Sequence, residues 1–156
     1  MSNKIRVLVN TNHYYAAGMP FCELLEEKIV DNKLEEFQKL VGGLIEPLTI
    51  CVFNIGDKKY AIDLVCNDEG KLLNLEKTAF LIIDKPKNIF DVVCGNFFIA
   101  VCDRSKGEYV DMDDNVYDAI ERAFQVASIS IDAEILLLPT FEPDNFTKVF
   151  RVLEFV

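Results

Sequence analysis

Short apolar runs separated by Gly, Pro, Asn and Asp recur along most of the chain. Runs of this length, with alternating or continuous apolar positions, are typical of β-strands. Gly56 and Asp57 form a hairpin turn signal between two of them, so those two runs are predicted to pair antiparallel and the next three to continue the sheet. The predicted strands are 5–9, 44–55, 58–66, 79–83, 89–93, 97–102, 133–138 and 148–156.

The segment 21–30 fits either an amphipathic helix or an outer strand. We favour the strand, because Asp31 and Asn32 have the character of a new helix start. Near the other end of the chain, Pro139 and Pro143 predict a loop between the last two strands.

A first helix is predicted over about 32–42. Asn32 is suited to accept a backbone N–H of the first turn while Glu35 reaches back. Gly42 and Gly43 end the helix, because glycine adopts the left-handed C-cap conformation at little cost. Its apolar stripe is Leu34, Phe37, Leu40 and Val41.

A second helix is predicted over about 114–128, with Asp113 or Asp114 as its cap. Apolar residues recur there at helical spacing, at Val116, Ala119, Ile120, Ala123, Phe124 and Ala127. The pattern as a whole predicts one α+β domain over 1–156, mainly an antiparallel sheet with two principal helices.

The composition narrows the classes of function. The 156 residues are 51% hydrophobic and carry a formal net charge of -10. A charge of this sign disfavours direct nucleic-acid binding. No run approaches the roughly 20 apolar residues of a membrane helix, and the start of the chain lacks a signal-peptide core. We therefore expect a cytoplasmic protein that does not bind membranes.

Cysteine and histidine usage disfavours metal and nucleophile chemistry. The five cysteines are odd in number and lack C-x-x-C spacing, so they are predicted to be reduced, largely core residues. His13 is the only histidine. Neither a zinc site nor a histidine-dependent hydrolase is favoured, and no metal or cofactor is expected.

Three segments in a fixed order carry a family resemblance: DNKLEEFQKLVGGLIEP, VCNDEGKLLNL and IFDVVCGNFFIA. The chain resembles a family of small uncharacterised proteins from phages, plasmids and other mobile elements. The likeness covers about 29–103, whereas the NHYYAAGMP loop and the C-terminal helix plus strands of 107–156 depart from the short family pattern. Proteins of this origin and size often counter host defence, so the resemblance implies an anti-defence protein in the cytoplasm of a bacterial host.

A non-enzymatic sponge for a nucleotide-derived immune signal, such as a cyclic nucleotide or an ADP-ribose derivative, fits these features. Such binding requires aromatic faces, polar groups for ribose, and cations or backbone N–H groups for phosphate. The candidate ligand-binding residues lie in predicted loops: His13, Tyr14, Tyr15, Gly42, Gly43, Asn67, Lys71, Asn96 and Phe97.

Each candidate also has a structural interpretation. The 13–15 loop fits packing on the core, Gly42 and Gly43 a helix stop, and Asn67 and Asn96 ordinary turn positions. Phe97 and Phe98 alternate across a strand, so one is expected in the core and the other at a pocket or an interface.

The charge distribution separates two binding designs. Residues 1–100 have a net charge of -3 and residues 101–156 one of -7, so a phosphate pocket fits better in the first part. Its candidate cations are Lys4, Arg6, Lys39, Lys58, Lys59 and Lys71. The alternative is a DNA mimic that inhibits a host nuclease, with the acidic row Glu108, Asp111, Asp113, Asp114, Asp118 and Glu121.

Two further classes stay open. One is an enzyme that degrades the signal, using Asp or Glu with the help of His13. The other is a partner-binding protein without a small ligand. The strand-rich chain and its apolar tail FRVLEFV are suited to a homo-oligomer, which would also suit a sponge with pockets between subunits.

Overall fold

Ten strands and two helices are formed by the residues that the computed structural model describes, namely 3–10, 25–55, 57–83, 89–123, 128–129 and 136–140. The helices are α1 (Leu34–Val41) and α2 (Asp114–Ala123). The chain is an α+β fold with mainly antiparallel strands, as the sequence predicts. The strands are β1 (Lys4–Asn10), β2 (Leu25–Asp31), β3 (Ile45–Ile55), β4 (Lys58–Asn67), β5 (Lys77–Ile83), β6 (Ile89–Cys94), β7 (Phe97–Asp103), β8 (Glu108–Val110), β9 (Ser128–Ile129) and β10 (Leu136–Thr140).

The larger sheet has the order β2-β1-β7-β4-β3, with β8 paired to β7. β3 and β4 form the predicted hairpin, in a register that runs from Ile45 opposite Asn67 to Ile55 opposite Lys58. The preference for a strand over 21–30 is confirmed where the chain is described, since β2 pairs with β1 along its whole length. Residues 21–24 lie outside the described part.

The prediction that one sheet continues through β5, β6 and β7 is wrong. β5 and β6 belong to a second sheet of order β6-β5-β10-β9, whereas β7 lies between β1 and β4 in the first. The apolar run of β7 explains its place, because Phe97 to Val101 are all at most 1% exposed. A strand that is buried on both faces is typical of the middle of a sheet rather than of its edge.

Pro139 lies in β10 and not in the predicted loop. β10 runs parallel to β5, with Pro139 opposite Ile82. On its other side, β9 pairs only with Leu136 and Leu137 in the described part of the chain. Proline is tolerated there because a strand that is paired on one side needs no N–H bond on the other. The predicted strand 148–156 lies outside the described residues.

Helix α1 packs on one face of the larger sheet. Phe37 and Val41 are buried against Ile5, Val7 and other apolar residues of β1, β4 and β7. The Phe37 ring lies 5.4 Å from that of Phe98, centroid to centroid. The predicted stripe therefore holds for Phe37 and Val41, and for Leu40, which is partly buried. It fails at Leu34, which is 55% exposed in the first turn.

The predicted capping box at the start of α1 is wrong. The N-cap is Lys33, which makes no capping hydrogen bond through its side chain. Asn32 instead donates its Nδ2–H to the backbone oxygen of Tyr109, at 2.7 Å. The Asn32 side chain therefore binds β8 and does not make the cap of α1 that the local pattern predicts. At the other end, Gly42 is the C-cap with φ 76°, and it donates its N–H to the Gln38 oxygen, as predicted.

Helix α2 begins where the sequence predicts. Asp113 accepts the Val116 N–H on its Oδ1 at 2.9 Å, so it is the capping residue. Val116 and Ile120 are 7% and 0% exposed, in agreement with the predicted apolar stripe. Residues 124–127, the end of the predicted helix, lie outside the described residues.

Arg6 connects α2 to the face of the larger sheet that lies opposite α1. It lies between Ile5 and Val7, which face α1, so its side chain points the other way. Its Nε lies 2.9 Å from Glu27 and its Nη2 lies 3.0 Å from Asp114. Its guanidinium also lies 5.1 Å from the ring centroid of Tyr117. The two helices therefore contact opposite faces of the larger sheet.

The cysteine prediction is confirmed for three positions. Cys66 is buried, Cys94 and Cys102 are partly buried, and all three are reduced thiols. Burial raises the pKa of the Cys102 thiol, and the negative charge of Asp63 raises it further. The side chains of Cys22 and Cys51 lie outside the described part.

Candidate functional site

Several turns meet at one end of the larger sheet. Ile45 lies opposite Asn67, and Cys66 lies opposite Phe97. β1 ends beside them, since Val9 lies opposite Phe98. One end of the larger sheet therefore contains the start of β3, the end of β4, the start of β7 and the end of β1. We call it the loop end, comprising Asn10, the turn 42–44, the segment 67–75 and the turn 95–96.

The loop end brings together most of the predicted ligand-binding residues that the structure describes. Gly42, Gly43, Asn67, Lys71 and Asn96 all lie there, although they come from separate parts of the sequence. Phe97 begins β7 at the same edge but is 0% exposed, as is Phe98. Neither ring therefore lines an accessible surface, and the expectation that one of them faces a pocket is not met. Residues 13–15, with His13, Tyr14 and Tyr15, lie outside the described residues.

Asn67 connects the helix stop to the following loop. Its side chain is buried, with Nδ2 donating to the Val41 oxygen at 3.2 Å and Oδ1 accepting the Glu69 N–H at 2.8 Å. A Cβ on Gly43 would lie 2.9 Å from Asn67 Nδ2, so a larger residue there would displace this amide from its hydrogen bonds. Asn67 thus shapes the loop end from inside rather than presenting its amide to a ligand.

Gly70 packs the 67–75 segment against the end of β6. A Cβ on this glycine would overlap the backbone oxygen of Cys94, far closer than real Cβ contacts. The Gly70 N–H donates to the Asn67 oxygen at 3.1 Å, and the Gly95 N–H donates to the Glu76 oxygen at 2.7 Å. Backbone contacts therefore hold the 67–75 segment and the turn 95–96 together.

Asn10 was not among the predicted site residues. It is 7% exposed, and its Oδ1 accepts the Phe97 N–H at 2.8 Å. Its Nδ2 donates to Asn96 Oδ1 at 3.4 Å. The signal in the sequence is a polar residue directly after the apolar run VLV, at the end of β1. Asn10 connects the end of β1 to the start of β7.

The outer surface of the loop end combines polar and apolar side chains. Lys71 and Asn96 are exposed. Leu44, Leu72 and Leu73 are 58%, 86% and 56% exposed. Leucines with this exposure beside turn glycines contribute little to the core, and clustered exposed apolar groups are typical of contact surfaces. The sequence does not reveal this surface, because the exposure of a leucine depends on how the surrounding segments fold.

The candidate cations differ in where they lie. Arg6 lies inside β1 and Lys39 in the last turn of α1, outside the loop end. Lys4 begins β1, and Lys58 and Lys59 begin β4, so these three lie at the edge away from the loop end. Of the six candidates, Lys71 combines exposure with a place in the 67–75 segment.

Three residues of the predicted acidic row have roles inside the protein. Asp111 accepts the Arg6 N–H at 2.8 Å, Asp114 pairs with the Arg6 side chain, and Asp113 caps α2. Glu108 and Asp118 are exposed. The side chain of Glu121 lies outside the described part. The positive charge of Arg6 makes this surface less negative. A surface that imitates DNA phosphates needs a dense negative charge instead.

A polar network surrounds the buried carboxylate of Asp63, deeper in the sheet. Asp63 of β4 is 7% exposed. Its Oδ1 accepts the Thr49 hydroxyl at 2.8 Å and its Oδ2 accepts the Tyr109 hydroxyl at 3.0 Å. Burial, followed by the charge of Asp63 and the hydrogen bond to it, raises the pKa of Tyr109 far above its ordinary value. Both carboxylate oxygens are therefore occupied by hydroxyl donors, and the network stabilises the fold.

Replacing Tyr109 with Phe should lower the free energy of unfolding by about 1–2 kcal/mol, because the buried Asp63 carboxylate loses a hydrogen bond while the ring packing remains. A raised phenol pKa stabilises the folded state at neutral pH, and this contribution falls as pH rises above the ordinary tyrosine pKa of about 10. The stability gap between the native protein and Tyr109→Phe should therefore narrow above that pH. Urea unfolding at neutral and alkaline pH measures it, and a gap that widens would contradict the network.

Two features are absent from the described part of the chain. No helix there is long and apolar enough to cross a membrane. No group of three or more His, Cys, Asp or Glu residues is placed there to hold a metal ion.

The comparison with known families gives one match. Residues 20–125 match the model of a domain of unknown function, DUF3846. The match extends beyond the 29–103 likeness at both ends, so β2, β8 and α2 also fall inside it. Neither a curated protein nor a solved structure matches the chain significantly. Since the family model covers well over half of the chain, the protein belongs to the DUF3846 family.

Proposed function

We propose that this protein binds a small nucleotide-derived molecule at the loop end and holds it without cleaving it. In this proposal it is a phage or mobile-element protein that withholds an immune signal, of the cyclic-nucleotide or ADP-ribose type, from its receptor in the bacterial cytoplasm. The origin rests on the resemblance of the QKLVGG, NDEGK and GNFFI segments to proteins of mobile elements.

The observation that carries this proposal is the convergence of complementary groups at the loop end. Lys71 supplies an ammonium group for a phosphate, and Asn96 supplies an amide for ribose or a base edge. Leu72 and Leu73 supply exposed apolar surface for the base. A Cβ on Gly42 would meet nothing within 4 Å, so a ligand has open access to the backbone there.

The charge of the whole protein does not oppose this site. Screening limits electrostatic effects to about 8 Å at physiological salt, so a local lysine outweighs distant carboxylates. Asp68 and Glu69 are exposed in the same segment, which favours a ligand with few phosphates or one with additional hydrogen-bond donors. A cyclic nucleotide or an ADP-ribose derivative meets that condition better than a nucleoside triphosphate.

The DNA mimic is the second candidate, and the exposure of Glu108, Asp111 and Asp118 favours it. It predicts that the protein inhibits cleavage of plasmid DNA by a restriction enzyme, and that inhibition weakens steeply with salt. Inhibition at low salt together with no response to nucleotides would favour the mimic over the sponge.

Lys71→Ala tests the sponge at the residue level. We expect cyclic di-AMP, 3′,5′-cyclic AMP or ADP-ribose to bind the native protein in calorimetry, and Lys71→Ala to weaken that binding about tenfold, as expected for the loss of a charge-assisted bond. Lys58→Ala is the matched control, because Lys58 is an exposed lysine at the far end of β4. Equal weakening by both variants would point to net charge, and unchanged binding in Lys71→Ala would remove Lys71 from the site.

A further inference from the structure

Strand β2 forms one edge of the larger sheet. It pairs with β1 from Lys4 opposite Asp31 to Asn10 opposite Leu25. Within the described residues, no strand pairs with its outer side. Four consecutive residues of β2 are exposed, namely Glu26, Glu27, Lys28 and Ile29. A long edge strand with free backbone groups is a template for pairing with another strand.

The side chains of β2 divide between the two faces of the sheet. Glu26 and Lys28 lie opposite Val9 and Val7, on the face that carries α1. Glu27 and Ile29 lie opposite Leu8 and Arg6, on the other face. Ile29 is 66% exposed, so it presents apolar surface beside charged neighbours.

We propose that β2 pairs antiparallel with β2 of a second copy of this chain, with Glu27 opposite Glu27 at a twofold axis. The two larger sheets then form one continuous sheet. The inference concerns a surface formed by β2 itself, so it does not depend on the ligand proposed for the loop end.

Charge complementarity selects both the partner and the register. In a continuous sheet, residues directly opposite each other share a face, so residues of one face must pair with the same face of the second copy. With Glu27 at the axis, Glu26 lies opposite Lys28 twice, and Leu25 lies opposite Ile29 twice. Opposite charges across a pair of strands are stabilising.

The neighbouring registers that keep the faces matched are worse. One places Lys28 opposite Lys28, and another places Glu26 opposite Glu26; a third places Glu27 opposite Asp31. Like charges directly opposite one another are destabilising. In the proposed register the two Glu27 carboxylates meet, but each lies 2.9 Å from Arg6 Nε of its own chain, which offsets part of their charge.

Charge reversal at β2 tests this dimer in the full-length protein. In sedimentation equilibrium at low salt we expect the native protein to dimerise, and Lys28→Glu to raise the dissociation constant about tenfold or more, because two attractive pairs become repulsive. Lys58→Glu is the matched control, since it makes the same charge change on an exposed lysine far from β2. It should leave the dissociation constant unchanged.

A charge swap tests the register. The double variant Glu26→Lys with Lys28→Glu should restore dimerisation. The single variants Glu26→Lys and Lys28→Glu should each dimerise poorly alone, but a mixture of the two should form a heterodimer. A cooperative thermal unfolding transition confirms that each single variant is folded. A native protein that stays monomeric, a dimer that Lys28→Glu leaves intact, or a failure of both the swap and the mixture would overturn the proposal.

Discussion

Replacing Gly70 with Ala should lower the free energy of unfolding by about 3 kcal/mol, the cost of forcing a methyl group into a closely packed site. The added Cβ would overlap the backbone oxygen of Cys94 and lie 3.3 Å from the oxygen of Asn67. Both contacts are with backbone atoms, which cannot rotate away as a flexible side chain can. The 67–75 segment and the end of β6 would have to separate, which changes the shape of the loop end itself.

Gly107→Ala is the control for that substitution. Gly107 has φ +67° and nothing within 4 Å of its added Cβ, so its cost comes from backbone conformation alone. We expect about 1 kcal/mol there, as for one alanine in the left-handed region. Urea denaturation of both variants separates the two effects. A loss in Gly70→Ala no larger than that in Gly107→Ala would show that the segment is free to move away from β6.

Replacing Asn67 with Ala should cost about 2 kcal/mol, because two hydrogen bonds of a buried amide are lost together. The Val41 oxygen loses its bond from Nδ2, and the Glu69 N–H loses its bond to Oδ1. The C-terminal end of α1 and the 67–75 segment would no longer be connected through this side chain. Thermal or chemical unfolding of the variant, monitored by circular dichroism, measures the loss.

Asn96→Ala is the matched control for Asn67→Ala. Asn96 is exposed, and its Oδ1 accepts a hydrogen bond from Asn10 Nδ2 at 3.4 Å. We expect a stability change within about 0.5 kcal/mol, as is usual for surface substitutions. The two variants should also differ in ligand binding, since Asn96 faces outward in our account and Asn67 does not. Equal destabilisation by both would contradict the structural role assigned to Asn67.

Local patterns in the sequence predicted much of the fold. Gly42 ends α1, Asp113 caps α2, and the turn signal at Gly56 and Asp57 separates the strands of the hairpin that forms. In each case the deciding interaction lies within a few residues along the chain. Where the deciding contact is distant, prediction failed. Asn32 binds the backbone of Tyr109 rather than the first turn of α1. β7 lies between β1 and β4, which are both far away in sequence.

The candidate site was predictable in part for the same reason. Turn residues such as Gly43, Lys71 and Asn96 were identified from composition, and strand register then placed them at one end of the sheet. Burial could not be inferred for Phe97, because alternation indicates two faces without showing that both are covered. Asn10 and the exposed leucines were missed, since their roles depend on contacts and exposure that only the fold establishes.

The central claim, that this protein holds a nucleotide-derived molecule without converting it, is tested most directly by what the protein releases. The protein is purified from bacteria that produce cyclic-nucleotide and ADP-ribose signals, then denatured by heat, and the released small molecules are identified by mass spectrometry. We predict an intact nucleotide-derived molecule in stoichiometric amount, and a reduced amount from Lys71→Ala. Release of a cleaved product, or of no nucleotide-derived molecule at all, would contradict the claim.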